Sequence, residues 1–180
     1  MPTKNEEIER TRLAQLRRFA PQVFGTGTLL YVGACPKRAQ CLEALIASGR
    51  KVTILEVMEA YAAHYARRDD LRVICGDVRR LASLPGVADR YDVIFWWHGP
   101  EHVSKPELPG VLAEVEKRAE LVVLACPWGR SPQRGTDADP YREHKATLMP
   151  GDFEEWGYRV STLGAAGGRS ASNLIAVKAT

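Results

Sequence analysis

A chain of 180 residues is long enough to bury one sizeable core and too short for two ordinary domains. Its 25 Lys and Arg against 22 Asp and Glu leave a net charge of +3 without a dense basic block, which argues against a nucleic-acid partner; Arg17-Arg18, Arg67-Arg68 and Arg79-Arg80 read as solvated helix faces or ends. Cys35, Cys41, Cys75 and Cys126 lack C-x-x-C spacing, acidic residues stand where a signal peptide is apolar, and no window approaches the ~20 apolar residues of a membrane span, so a cytoplasmic protein with reduced thiols and no membrane partner is expected.

Thr3-Lys4-Asn5-Glu6 has the S/T-x-x-E arrangement that satisfies free amides at a helix start. Ile8, Leu13, Leu16 and Phe19 then form a helical stripe ending before Pro21, and Phe24–Thr28 is turn-rich. Residues 1–26 therefore read as an amphipathic helix and linker, and 27–180 as the main domain. Within it, short apolar runs alternate with helical stretches. TLLYVGA (Thr28–Ala34) precedes Arg38–Ala47, and KVTILEV (Lys51–Val57) precedes Met58–Arg67. LRVICGDV (Leu71–Val78) precedes a short broken helix, YDVIFWW (Tyr91–Trp97) precedes Leu108–Ala119, and LVVLACP starts at Leu121. Five such runs imply crossover connections and a parallel sheet covered on both faces. GYRVSTLG (Gly157–Gly164) and SNLIAVKA (Ser172–Ala179) break the alternation, because the segment between them is shorter than the dozen or so residues a parallel crossover needs. The last strand should run antiparallel, joined by a flexible hairpin connection over Gly164–Ser172. The expected fold is α/β: a doubly wound, mostly parallel seven-stranded sheet with its last strand antiparallel.

In such a sheet, ligands sit at the carboxyl ends of the strands. After the first strand, Gly33 stands alone in place of G-x-G-x-x-G and Pro36 removes an amide, which disfavours NAD or FAD; a phosphate-loop signature is absent. Glu56 ends the second strand, where a carboxylate can accept both hydroxyls of an adenosine ribose, although an acid near a helix start is also favourable to the helix dipole. Asp77 ends the third, placed to receive an adenine amino group while Val57 and Met58 cover the ring; Gly-Asp is equally a turn.

Taken in order, VGA, ILEV, CGDV and YDVIFWWHGPEHV resemble the successive motifs of the class I S-adenosylmethionine-dependent methyltransferases, over roughly Gly27–Lys178. The resemblance implies S-adenosylmethionine as cofactor and says little about the substrate; an unidentified small-molecule acceptor is expected. It assigns Gly33, Ala34, Cys35, Arg38, Glu56, Val57, Met58, Asp77, Val78 and Trp97 to the cofactor. The family's first motif usually has an acid two residues before its first glycine, where this chain has Tyr31, and further glycines where it has Cys35 and Lys37. Arg38 or Lys37 would then hold the methionine carboxylate.

The segment His98–His102 is literally H-x-x-E-H. A zinc-hydrolase reading needs both histidines on one helix turn, but Gly99-Pro100 interrupts them and spacing shows no third ligand, so no metal is expected. At the fourth strand exit, the family resemblance instead makes His98, Glu101 and His102 an acceptor wall with one general base, or else partners at a helix start. Trp96 and Trp97 point to opposite faces, so at most one meets the cofactor. Trp128, Tyr141 and His144, in the loop after the fifth strand, are substrate-side candidates or loop-packing residues. Readings as a non-catalytic cofactor-binding or partner subunit, or as an RNA-directed methyltransferase, remain open at this stage.

Overall fold

The structure is a computed structural model that describes residues 3–167 and 172–180. The first helix, α1 (Lys4–Phe19), begins as the sequence predicts: the Thr3 hydroxyl accepts the Glu6 amide at 3.3 Å and the Glu6 carboxylate accepts the Thr3 amide at 2.6 Å. Its buried face differs from the apolar stripe. Glu9, Arg12, Gln15 and Leu16 are buried while Ile8, Leu13 and Phe19 are only partly so, because α1 lies across polar groups at the sheet's carboxyl edge.

The seven strands are β1 (Gly27–Val32), β2 (Arg50–Glu56), β3 (Arg72–Cys75), β4 (Tyr91–Trp97), β5 (Ala119–Cys126), β6 (Arg159–Leu163) and β7 (Asn173–Ala179). They form one sheet in the order β3-β2-β1-β4-β5-β7-β6. The β1–β2, β1–β4, β2–β3 and β4–β5 pairings are parallel, and β7 runs antiparallel between β5 and β6, as the short connection requires. Positions 168–171 of that connection lie outside the described residues. Helices α2 (Gln40–Ala47), α3 (Glu59–Tyr65) and α4 (Leu108–Glu116) fill the crossovers. The broken helix after β3 is a 3₁₀ run, Val78–Ser83, kinked at Arg80. A short α5 (Pro150–Glu155), absent from the sequence reading, starts on a proline whose missing amide costs nothing there, with Asp152 accepting the Met149 amide at 2.9 Å.

Alternation along each strand divides the core in two. Leu30, Val32, Ile94, Trp96, Val122, Leu124 and Leu174 pack with Leu112 and Phe153 on one face. Leu29, Tyr31, Val93, Phe95, Trp97, Val123 and Ile175 pack with Leu16, Leu42 and Leu45 on the other. Both tryptophans are therefore core residues, on opposite faces, and the exits of β1, β2 and β4 meet at one edge. Among the described residues no helix is long and apolar enough to cross a membrane.

Candidate functional site

At the β1 exit, Gly33 holds φ +78°, a conformation that side chains resist, and its amide donates to Leu55 O at 2.9 Å; a Cβ there would meet nothing within 4 Å. The backbone thus lies bare along the edge. Beside it, Glu56 is 4 % exposed and its Oε1 accepts the Met58 amide at 2.8 Å. Burial pushes this carboxyl up to about 7, against the backbone amides of Met58, Val57 and Ala34, which favour the ionised form. Val57 and Met58 are half-buried next to it, as is Cys35, while Arg38 is exposed. Tyr31, at the family's acid position, is buried with its ring 5.2 Å from that of Phe95, and burial raises its hydroxyl well above the ordinary range.

At the β3 exit, Asp77 is engaged. Its oxygens take the Arg79 guanidinium at 2.5 and 2.9 Å and the Arg79 amide at 2.9 Å. Burial pushes its carboxyl up, but these bonds outweigh it and the net shift is downward. Val78 turns into the core rather than outward. Tyr141 is 43 % exposed, in the same loop as Glu143, whose carbonyl meets His102 at the β4 exit.

At the β4 exit, the Trp97 ring stacks on Phe95 at 5.2 Å and meets His98 edge-on at 5.5 Å. Its indole Nε1 is buried without a partner among the described residues. His98 adopts φ +50°, a left-handed conformation costing a non-glycine residue roughly 1–2 kcal/mol, and its amide donates to Ala125 O at 2.7 Å. Gly99 must be glycine, because a Cβ would overlap the Trp96 indole. A 3₁₀ turn, Pro100–His102, then buries Glu101 to 2 % exposure.

Three of the chain's four histidines converge on this carboxyl. From Glu101 Oε1, His98 Nδ1 lies at 3.6 Å, His102 Nε2 at 4.0 Å and His144 Nε2 at 4.0 Å. The His102 and His144 rings lie 5.1 Å apart. His144 arrives from the long loop after β5, which is stitched onto the turn: the Lys145 and Ala146 amides donate to Glu101 O at 2.8 and 3.1 Å. Burial pushes Glu101 up to about 8 and lowers all three imidazoles, His98 furthest. Trp128, from the same loop, instead spends its indole on packing, donating to Leu163 O at 3.1 Å.

The sequence reading missed the contribution of α1. Glu9 and Arg12 are 5 % and 8 % exposed, paired at 2.9 Å, yet Glu9 Oε2 and Arg12 Nε have no partner among the described residues. Arg12 and Arg38 both act on the charge of Glu101 and His98, so this pair borders the same edge. Gln15 binds Ser161 O at 3.0 Å and receives the buried Asn173 amide at 2.9 Å, which locks α1 onto β6 and β7. The detectable signal was a polar 9-12-15 spacing running into Leu16.

No family sequence profile and no curated protein sequence matches the chain. Its fold matches solved structures closely. A SAM-dependent methyltransferase from Archaeoglobus fulgidus is 17 % identical with TM-score 0.66, covering 96 % of this chain and 94 % of that one. The N-methyltransferase NodS from Bradyrhizobium japonicum WM9 is 14 % identical with TM-score 0.68, covering 97 % of each. The 1,6-didemethyltoxoflavin-N1-methyltransferase from Burkholderia thailandensis, with bound 1,6-didemethyltoxoflavin and S-adenosylhomocysteine, is 16 % identical with TM-score 0.62, covering 94 % of this chain and 76 % of that one. The chain has the fold of the S-adenosylmethionine-dependent methyltransferases, with their seven-stranded sheet.

Proposed function

We propose that the protein is an S-adenosylmethionine-dependent methyltransferase for a small-molecule acceptor, with the cofactor lying across the β1, β2 and β4 exits. The observation that carries this reading is the row of buried, underused polar groups along that one edge. At the nucleoside end, Glu56 is fixed by the Met58 amide and keeps acceptor capacity for two ribose hydroxyls. Val57 and Met58 flank the base, and Asp77 can share its carboxylate between Arg79 and an adenine amino group. Gly33, Ala34 and Cys35 supply close backbone.

At the amino-acid end, Glu9 Oε2 and Arg12 Nε, an acceptor and a donor without partners among the described residues, complement an ammonium and a carboxylate side by side. They take over the task left open by Tyr31, with Arg38 adding positive charge. The residues present therefore fit the cofactor.

When bound, the cofactor supplies a methyl group on a sulfonium. Trp97, buried beneath the β4 exit, offers an aromatic face worth ~0.5–2 kcal/mol to a cation. His98, Glu101 and His102 wall the acceptor. His102 Nδ1 donates to Glu143 O at 2.9 Å, so its Nε2 lone pair is bare and aimed at the wall, available to take a proton from an acceptor that must lose one. Most of the acceleration comes from holding acceptor and methyl in line. The small acceptor bound in the Burkholderia thailandensis neighbour supports a small acceptor here.

The test is transfer of labelled methyl from S-adenosylmethionine to a panel of small amines, phenols, thiols and carboxylates. Label in a small molecule, reduced by His102→Ala, is the expected result. Label found only in RNA, or cofactor binding without turnover on any acceptor, would replace this reading with one of the two alternatives.

A further inference from the structure

We infer that Glu101, His102 and His144 form a binding site for one divalent transition-metal ion of the zinc class, on the acceptor side of the β4 exit. The placement beside the acceptor rests on the methyltransferase reading; the binding of the ion does not.

The argument begins with tautomers. A backbone carbonyl can only accept, so His102 Nδ1, 2.9 Å from Glu143 O, carries the proton, as does His144 Nδ1 on Ser131 O. Both neutral rings then leave Nε2 unprotonated, and both Nε2 atoms lie 4.0 Å from the same oxygen, Glu101 Oε1. Three acceptor atoms gathered this closely have at most one proton, that of Glu101, to share among them. One proton on Glu101 could satisfy a single ring and would leave the other unmet; a cation satisfies all three.

The outer contacts are those a metal site needs. Ligating imidazoles characteristically donate their other N–H to a carbonyl or carboxylate, which fixes the ring, and both rings here do so. His98 Nδ1 lies 3.6 Å from the same Glu101 Oε1, beside the three ligand atoms. Glu101 Oε2 and His98 Nε2 are buried without partners among the described residues, an independent sign that the cluster is built toward something else. No guanidinium competes within ion-pair distance of Glu101 among the described residues, although Arg12 and Arg38 act on it from further away.

Geometry and ligand type narrow the ion. The three ligand atoms lie within 4.8 Å of one another. Tetrahedral zinc bonds of about 2.0–2.1 Å set ligand atoms about 3.3 Å apart, so the two 4.0 Å separations close by about 0.7 Å and the His102–His144 separation, within 4.8 Å, by at most about 1.5 Å of side-chain movement. Two imidazoles with one carboxylate suit zinc, cobalt or nickel; magnesium and calcium take oxygen ligands. Three protein ligands leave a fourth position for an acceptor heteroatom; a ligated His102 Nε2 is no longer a base, so with the ion bound the metal's acidification of that heteroatom, with its proton passing to solvent, replaces the base role. This is not the H-x-x-E-H zinc arrangement, since His98 is no ligand and the third comes from the loop after β5.

Untagged protein, stripped by chelator and dialysed, is titrated with Co²⁺ as a visible probe and with Zn²⁺ by calorimetry. One equivalent should bind, giving the absorption bands of a four-coordinate cobalt site that zinc bleaches. His102→Asn and His144→Ala should each weaken binding at least tenfold, whereas the exposed His64→Ala should not. Far-UV circular dichroism confirms folding, and the surface position of the His144 loop keeps that variant informative if the buried Glu101→Gln does not fold. Substoichiometric binding at 100 µM metal, or full affinity in both histidine variants, would overturn the assignment. S-adenosylhomocysteine calorimetry on the same preparations separates the claims: metal binding without cofactor binding sinks the methyltransferase reading alone, and the reverse sinks the metal site alone.

Discussion

Replacing Glu56 should damage nucleoside binding and little else. Its carboxylate is 4 % exposed and already oriented by the Met58 amide at 2.8 Å, so a ribose would meet a fixed acceptor with no rotamer left to freeze. A hydrogen bond to a charged acceptor contributes about 1.5–3 kcal/mol, and about 1.4 kcal/mol is tenfold in affinity. Glu56→Ala should therefore weaken S-adenosylhomocysteine binding roughly 10- to 150-fold by calorimetry. Glu56→Gln keeps one acceptor oxygen and loses the charge, so it should fall between the two. The alanine variant also leaves the Met58 amide without its acceptor, and a thermal melt shows whether it is folded. A folded Glu56→Ala protein that binds S-adenosylhomocysteine as tightly as the wild type would refute the placement of the ribose at the β2 exit.

The same carboxyl sets a pH dependence. Its folded value of about 7 stands above the ordinary 4.5, so the stabilisation from protonated Glu56 is present at low pH and is lost as pH rises through about 7. Glu56→Gln should accordingly flatten the decline of Tm between pH 5.5 and 8. Ribose hydroxyls favour the ionised form, so cofactor affinity should fall below pH 7, and binding near pH 7 should release a fraction of a proton, visible in buffers of different ionisation enthalpy and absent in Glu56→Gln. Glu9→Gln combined with Arg12→Met removes the α1 pair without stranding one charge, and should lower S-adenosylhomocysteine affinity at least tenfold in a protein that still melts cooperatively; equal affinity would release α1 from the amino-acid end. Gly99→Ala forces a methyl into the Trp96 indole, an overpacking cost of roughly 1–3 kcal/mol, which should lower Tm by several degrees. An unchanged melt would mean that the Gly99 turn can shift freely.

The sheet was legible because its information is local and periodic. Apolar runs split alternately between two cores, and the short connection before β7 forces the reversal. The places of Glu56 and Asp77 at the β2 and β3 exits were readable because strand exits can be counted. The α1 contribution was hidden because Glu9, Arg12 and Gln15 look like a solvated face until the opposing surface is known to be polar. The approach of His144 to Glu101 was unreadable for another reason: two backbone hydrogen bonds from Lys145 and Ala146 hold the loop there, and backbone donors leave no trace in residue type. Helix α5 escaped because six residues carry too little periodicity to stand out.

Calorimetry of the wild-type protein against S-adenosylhomocysteine, with NAD as the competing dinucleotide, tests the central claim most directly. Binding at one equivalent, with no heat from NAD, is what a cofactor site built on Gly33, Glu56 and the β4 exit requires. No S-adenosylhomocysteine binding by folded protein, or NAD binding in its place, would contradict it.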